Sequence, residues 1–230
     1  MQNFLAHRLS DAVTVFREGG VMMVPLLGSS ILALAVGISL GLTLRRKLIM
    51  PKDLVRSIGE IESPGDVEKA LARCHESPSP LGKVMTVALM NRNLTRDENQ
   101  EAVLLAGRQE ASTIGRGILI LEIIAATAPL MGLLGTVLGI VEIFAVVHKE
   151  GGGGGQIGLL SGGIKQALYT TVAGLTIAIP ALIAQSYFSK VVDDIVLDME
   201  RLASLLLTKL YSPRMREAAK GAGETGGVKK

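Results

Sequence analysis

The sequence predicts an all-α integral membrane protein with three transmembrane helices, and three observations carry that prediction. Charge is missing from three long runs: Gly19 to Leu44 over twenty-six positions, Ile123 to Val141 over nineteen, and Gln166 to Ser189 over twenty-four. A hydrocarbon core of roughly 30 Å takes about twenty residues of helix to cross, so each run is long enough. Mean hydropathy is +0.42 and 48% of residues are hydrophobic, yet the chain has three Tyr, four Phe and no Trp. Hydrophobicity supplied by Leu, Ile, Val, Ala and Gly is the usage of helices that pack closely in lipid. The basic residues are also lopsided. The stretch from Arg45 to Gly117 holds twelve Lys and Arg and the chain after Phe188 holds eight, against two before Gly19 and Lys149 and Lys165 beside the glycine run. Basic loops stay inside, which gives an N-out, C-in topology with the second and third spans extended as long cytoplasmic helices.

Residues 1–18 set Phe4, Leu5, Leu9, Ala12, Val13 and Phe16 on one face, as a periplasmic amphipathic helix at the membrane surface would. A frayed tail is the other reading. Residues 19–44 form the first span. Ala33 and Ala35 imitate a signal cleavage site, but the preceding segment is near neutral and Arg45, Arg46 and Lys47 close the run as a stop-transfer cluster, so the span is expected to be uncleaved. Residues 45–117 are expected as a cytoplasmic loop and helices. Pro51, Pro64, Pro78 and Pro80 divide its start into short pieces, with a helix from Gly65 to His75. From Arg96, alternating charges point to a helix running straight into the second span, 118–147. A periplasmic Gly-rich loop, 148–163, holds the five glycines Gly151 to Gly155, and the third span is 164–188. Val191, Val192, Ile195, Met199, Leu202, Leu205 and Leu206 then keep helical spacing through a cytoplasmic helix, 189–211. One helix from Gly163 to Leu210 would be about 70 Å long. Residues 212–230 are Gly- and Lys-rich and are expected to be disordered.

The hairpin of the second and third spans holds the informative positions. Ala125, Ala128, Gly132, Gly135, Gly139 and Glu142 recur every three or four residues, as do Ala167, Thr171, Gly174, Ala178, Ala181 and Gln185. Such stripes let helices approach closely, and packing alone explains each Gly and Ala. Thr136 lies six residues before Glu142, and Thr171 six after Lys165. In antiparallel helices both hydroxyls then sit about 9 Å below the outer interface. A threonine in a membrane helix can simply bond its own backbone carbonyl; two at one depth beside small residues also fit a shared polar site.

No Asp, Glu, His, Lys or Arg lies in the middle of any span. Proton pathways through lipid use an ionisable relay group, and a hydroxyl cannot hold a charge near neutral pH. If ions cross here, the titrating carboxylate comes from another chain. Glu122, fourteen positions before Thr136 and about 40° around the helix, is a candidate cytoplasmic exit or an interfacial acid. Enzyme signatures are missing: the glycine run has no following Gly-Lys-Ser/Thr. His7, His75 and His148 with the one cysteine, Cys74, make no metal site. No cofactor and no enzyme activity are expected. The net charge of +3 does not point to nucleic acid.

The stretch A-P-L-M-G-L-L-G-T-V-L-G-I, Ala128 to Ile140, resembles the second-span signature of the MotA/TolQ/ExbB proton channel family. Q-A-L-Y-T-T-V-A-G-L-T-I-A-I-P-A, Gln166 to Ala181, resembles its third-span signature. The resemblance is strong over Leu121 to Tyr187. MotA-type subunits have four spans, so the three-span layout is closer to ExbB or TolQ, and the motif wording leans to ExbB. The resemblance implies a pentamer in the bacterial inner membrane around single-span partners of ExbD/TolR type, whose intramembrane Asp carries the proton. It also implies a TonB-like protein driven by the proton motive force to energise outer-membrane transport. The family's pore threonines fall on Thr136 and Thr171, with Thr170 beside them. A third polar position, Glu in some ExbB proteins, is Gln166 here, so it cannot titrate. Gly132, Gly135, Gly139, Gly174 and Ala178 are expected as helix-packing positions. A TolQ-like role in envelope maintenance and a passive helical scaffold are the alternatives.

Overall fold

The computed structural model describes residues 19–149, 156–215 and 217. The expected amphipathic helix at 1–18, the five glycines and most of the tail after 212 lie outside the described residues. The described chain is helical, with no strand: α1 (Met23–Thr43), α2 (Arg46–Ile49), α3 (Lys52–Gly59), α4 (Pro64–Glu76), α5 (Pro80–Met90), α6 (Arg96–Lys149) and α7 (Gln156–Leu210). α1, α6 and α7 are long and apolar enough to cross a membrane. α6 and α7 leave only 150–155 between them, a shorter connection than the 148–163 expected. The glycines at 162 and 163 lie inside a helix whose apolar positions begin at Ile157, so they do not end it.

The chain divides into two compact units, one of residues 1–39 with 117–187 and one of residues 40–116 with 188–230. In the second, the prolines open helices rather than only interrupting them. Pro64 and Pro80 stand in the first turns of α4 and α5, where the missing N–H has no partner to lose. Ser63 caps α4 together with Asp66, whose carboxylate accepts from the Ser63 backbone N–H at 3.1 Å and its hydroxyl at 2.7 Å. Ser79 Oγ caps α5 by accepting from Gly82 N at 3.1 Å.

These short helices surround an apolar core. Leu54 and Ile58 of α3, Val67 and Cys74 of α4, and Leu81, Met85 and Leu89 of α5 meet Met199, Leu206 and Leu210 of α7 there. Buried Asn99 of α6 ties α5 to the chain just past the end of α7: its amide nitrogen donates to Ala88 O at 2.9 Å and to the Tyr211 hydroxyl at 3.0 Å. Residues 213–215 add one helical turn, and Met215 is buried in the same core.

Candidate functional site

Small residues form the seam between α6 and α7 in the first unit. A Cβ on Gly132 would stand 2.8 Å from Thr170 O, and one on Gly174 2.6 Å from Ala128 O. Both obstacles are backbone atoms, so only glycine lets the two helices come this close. A Cβ on Gly135 would lie 2.6 Å from the Thr170 hydroxyl oxygen, whereas one on Gly139 would reach ordinary contact with Ala167 Cβ at 3.4 Å. Ala128 and Ala178 are buried in one cluster with Met23 and Leu26 of α1, and Met131, Ala173 and Ile177 pack against it. Pro129 and Pro180 lie inside the two helices, each removing the hydrogen bond to the carbonyl four residues earlier, at Ala125 and Thr176.

The hydroxyls divide into two kinds. Thr170 is 2% exposed, packs on Gly135 and donates to Ala167 O at 2.7 Å. The seam encloses it, so within this chain it packs between α6 and α7, at a position where the motif suggests a pore-lining residue. Thr136 and Thr171 are half-buried. Thr136 donates to Leu133 O at 2.6 Å, and Thr171 reaches across to Gly132 O at 3.5 Å. Thr171 thus stands beside Gly132, four residues before Thr136 and about 6 Å from its level along α6, not at the single level that the sequence spacing suggests.

Helical geometry assigns each candidate to a side of the hairpin. At about 100° per residue, positions 163, 167, 170, 174, 178 and 181 of α7 fall in an arc of about 80° that faces α6. Gln166 and Thr171 lie at opposite edges of that arc, about 140° apart. Gln166 is on the α1 side, with its amide against Gly20. On α6, Met131 lies on the α1 side of the buried stripe, and Thr136 on the other. Thr136 and Thr171 therefore share the flank that α1 leaves uncovered, and Gln166 does not join them. Glu122 is exposed on the threonine side. Leu133, Val137 and Ile140 around Thr136 are exposed as well. Lys165 lies 5.5 Å over the Tyr169 ring at the far end of the hairpin, a cation–π contact.

Motif reading groups 166, 170 and 171 because they are close in sequence. The signal that separates them was present in the spacing: Thr170 is four residues before Gly174 and three after Ala167, on the stripe itself. Among the described residues no group of three His, Cys, Asp or Glu is placed to hold a metal ion.

Three apolar helices, two of them seamed by glycine with hydroxyls on one open flank, define a helical membrane protein. Comparison with known proteins makes the class specific. The MotA/TolQ/ExbB proton channel family matches residues 76–201, more than half of the chain. The chain belongs to that family, and its relatives carry ExbB names. It is 34% identical over 169 residues to a Synechocystis protein named as an ExbB-like biopolymer transport protein, covering 73% of this chain and 66% of that one. It is 28% identical over 188 residues to a protein of Methanothermobacter thermautotrophicus named as an ExbB homolog, covering 78% and 63%. With the biopolymer transport protein ExbB of Neisseria gonorrhoeae it shares 30% over 159 residues, covering 63% and 71%. The chain thus spans about two thirds or less of the Synechocystis and Methanothermobacter relatives.

Proposed function

We propose that the chain is the channel-forming subunit of a proton-driven motor in the bacterial inner membrane, ExbB-like in its role. The observation that carries this reading is the sidedness of the hairpin. α1 covers one flank through Met23 and Leu26, and the other keeps two hydroxyls, Thr136 and Thr171, in a segment inside the family match. That open flank is the pore-facing side, with Glu122 at its cytoplasmic exit. Thr136 and Thr171 orient water by donating and accepting hydrogen bonds, and carry no charge themselves. The ionising group comes from an ExbD/TolR-like single-span partner with an intramembrane Asp, because the middle of each span of this chain holds no ionisable residue.

In this reading five copies surround the partner helices, and a TonB-like protein receives the motion for outer-membrane transport. The basic stretches 45–117 and 189–211 are cytoplasmic, with α6 and α7 continuing there, while the N-terminus and the glycine loop are periplasmic. The relatives' description as biopolymer transport proteins supports the transport role.

Purification of the full chain from its native membrane in mild detergent tests the reading. The expected result is an oligomer that carries a single-span protein with one intramembrane Asp. An intact homo-oligomer without such a protein, and without proton-linked activity, would be the passive scaffold instead.

A further inference from the structure

We infer that the Gln166 side chain is the seat over which the chain turns into its first span, a positioning contact separate from the threonine flank. Gly20 has φ +69° and is the one described residue with a positive φ, in the left-handed region that favours glycine. Its carbonyl accepts from Met23 N at 3.1 Å, which closes the turn that starts α1. The place where a Cβ on Gly20 would stand is taken by the amide nitrogen of Gln166. The space at the preceding residue is filled as well: Gly19 is buried, and a Cβ there would meet Met23 Sδ at 2.8 Å. The lead-in to α1 is therefore held between a methionine of its own helix and an amide of α7. Two glycines in sequence serve that confinement, one for space alone and one for both space and backbone conformation.

The consequence is a division of labour among polar residues that the motif sets side by side. Gln166 faces α1 and fixes where the chain joins the outer end of the hairpin. Thr171, about 140° away around the helix, faces the open flank. A neutral amide suits the seat because its end approaches a backbone with no side chain between and brings no charge into the span.

A double-mutant cycle on the assembled full-chain complex tests the contact. Gly20→Ala is expected to lower the thermal midpoint in the wild-type background. In the Gln166→Ala background the same change is expected to lower it markedly less, because the space has been freed and only the backbone strain remains. Equal drops in both backgrounds would overturn the inference. Gln166→Ala alone supplies a second readout if Gly20→Ala does not assemble. Hydrogen exchange at the Met23 amide is expected to quicken, with exchange around Thr136 and Thr171 unaltered. Unchanged exchange at Met23, or a change spread over all three helices, would contradict the seat. Neither readout depends on proton movement, so the channel reading and the seat fail separately.

Discussion

Gly132 and Gly174 face backbone oxygens across the hairpin seam, and that fact separates them from the other small residues of the two stripes. A methyl group at Gly174 would have to displace Ala128 O, 2.6 Å from its Cβ, and a helix backbone in a close seam has nowhere to go. Overpacking of this kind costs about 1–3 kcal/mol. At Gly139 the neighbour is another Cβ at 3.4 Å, which is van der Waals contact. Gly174→Ala is therefore expected to lower the thermal stability of the purified complex clearly, and Gly139→Ala to leave it almost unchanged. A melting curve of each variant in the same detergent checks the contrast; equal effects would mean that the seam is not where the structure puts it. Sequence spacing identified the stripe but did not rank its members. Ranking needs the register of one helix against the other, which no single helix encodes.

At the scale of elements, the proline-rich stretch before Arg96 reads in sequence as short irregular pieces. The helix expected from Gly65 to His75 is present as α4, Pro64 to Glu76, and Pro64 and Pro80 begin helices instead of merely ending them. What the residues alone do not reveal is that α3, α4 and α5 share a core with the end of α7. Cys74 is a reporter of that core. Burial disfavours its thiolate and pushes the thiol up to about 11, so at pH 8 almost none of the reactive form is present. Labelling by a maleimide is expected to be slow at pH 8 in the native complex. It should quicken as pH rises toward 11, and be fast at pH 8 once the unit is unfolded in denaturant. Rapid labelling of the native complex at pH 8 would show that α4 is not packed as described.

Across the whole molecule, the three spans were legible because lipid imposes two demands that a sequence displays openly: an uncharged run of sufficient length and small residues at helical spacing. Family membership was legible for a related reason, since the hairpin motifs are contiguous in sequence. The sidedness of the hairpin was not. Whether Gln166 or Thr171 faces a neighbouring helix depends on where α1 lies, and α1 is more than a hundred residues away in the chain. Once α1 is in place, Gln166 goes to one side and Thr136 with Thr171 to the other, and in the reading we propose the channel candidates narrow from four polar residues to two.

That narrowing is the central claim, and proton flux through reconstituted complexes tests it most directly. The chain, purified with whatever partner it carries, is placed in vesicles, and proton uptake is driven by an imposed membrane potential and followed with a pH dye. Loss of a hydrogen-bonding group worth about 1.4 kcal/mol at the barrier lowers a rate about tenfold. Thr136→Val and Thr171→Val are each expected to lower the flux by about that factor or more, with assembly and partner content unchanged. Wild-type flux in both variants would contradict the account and leave the hairpin as packing alone.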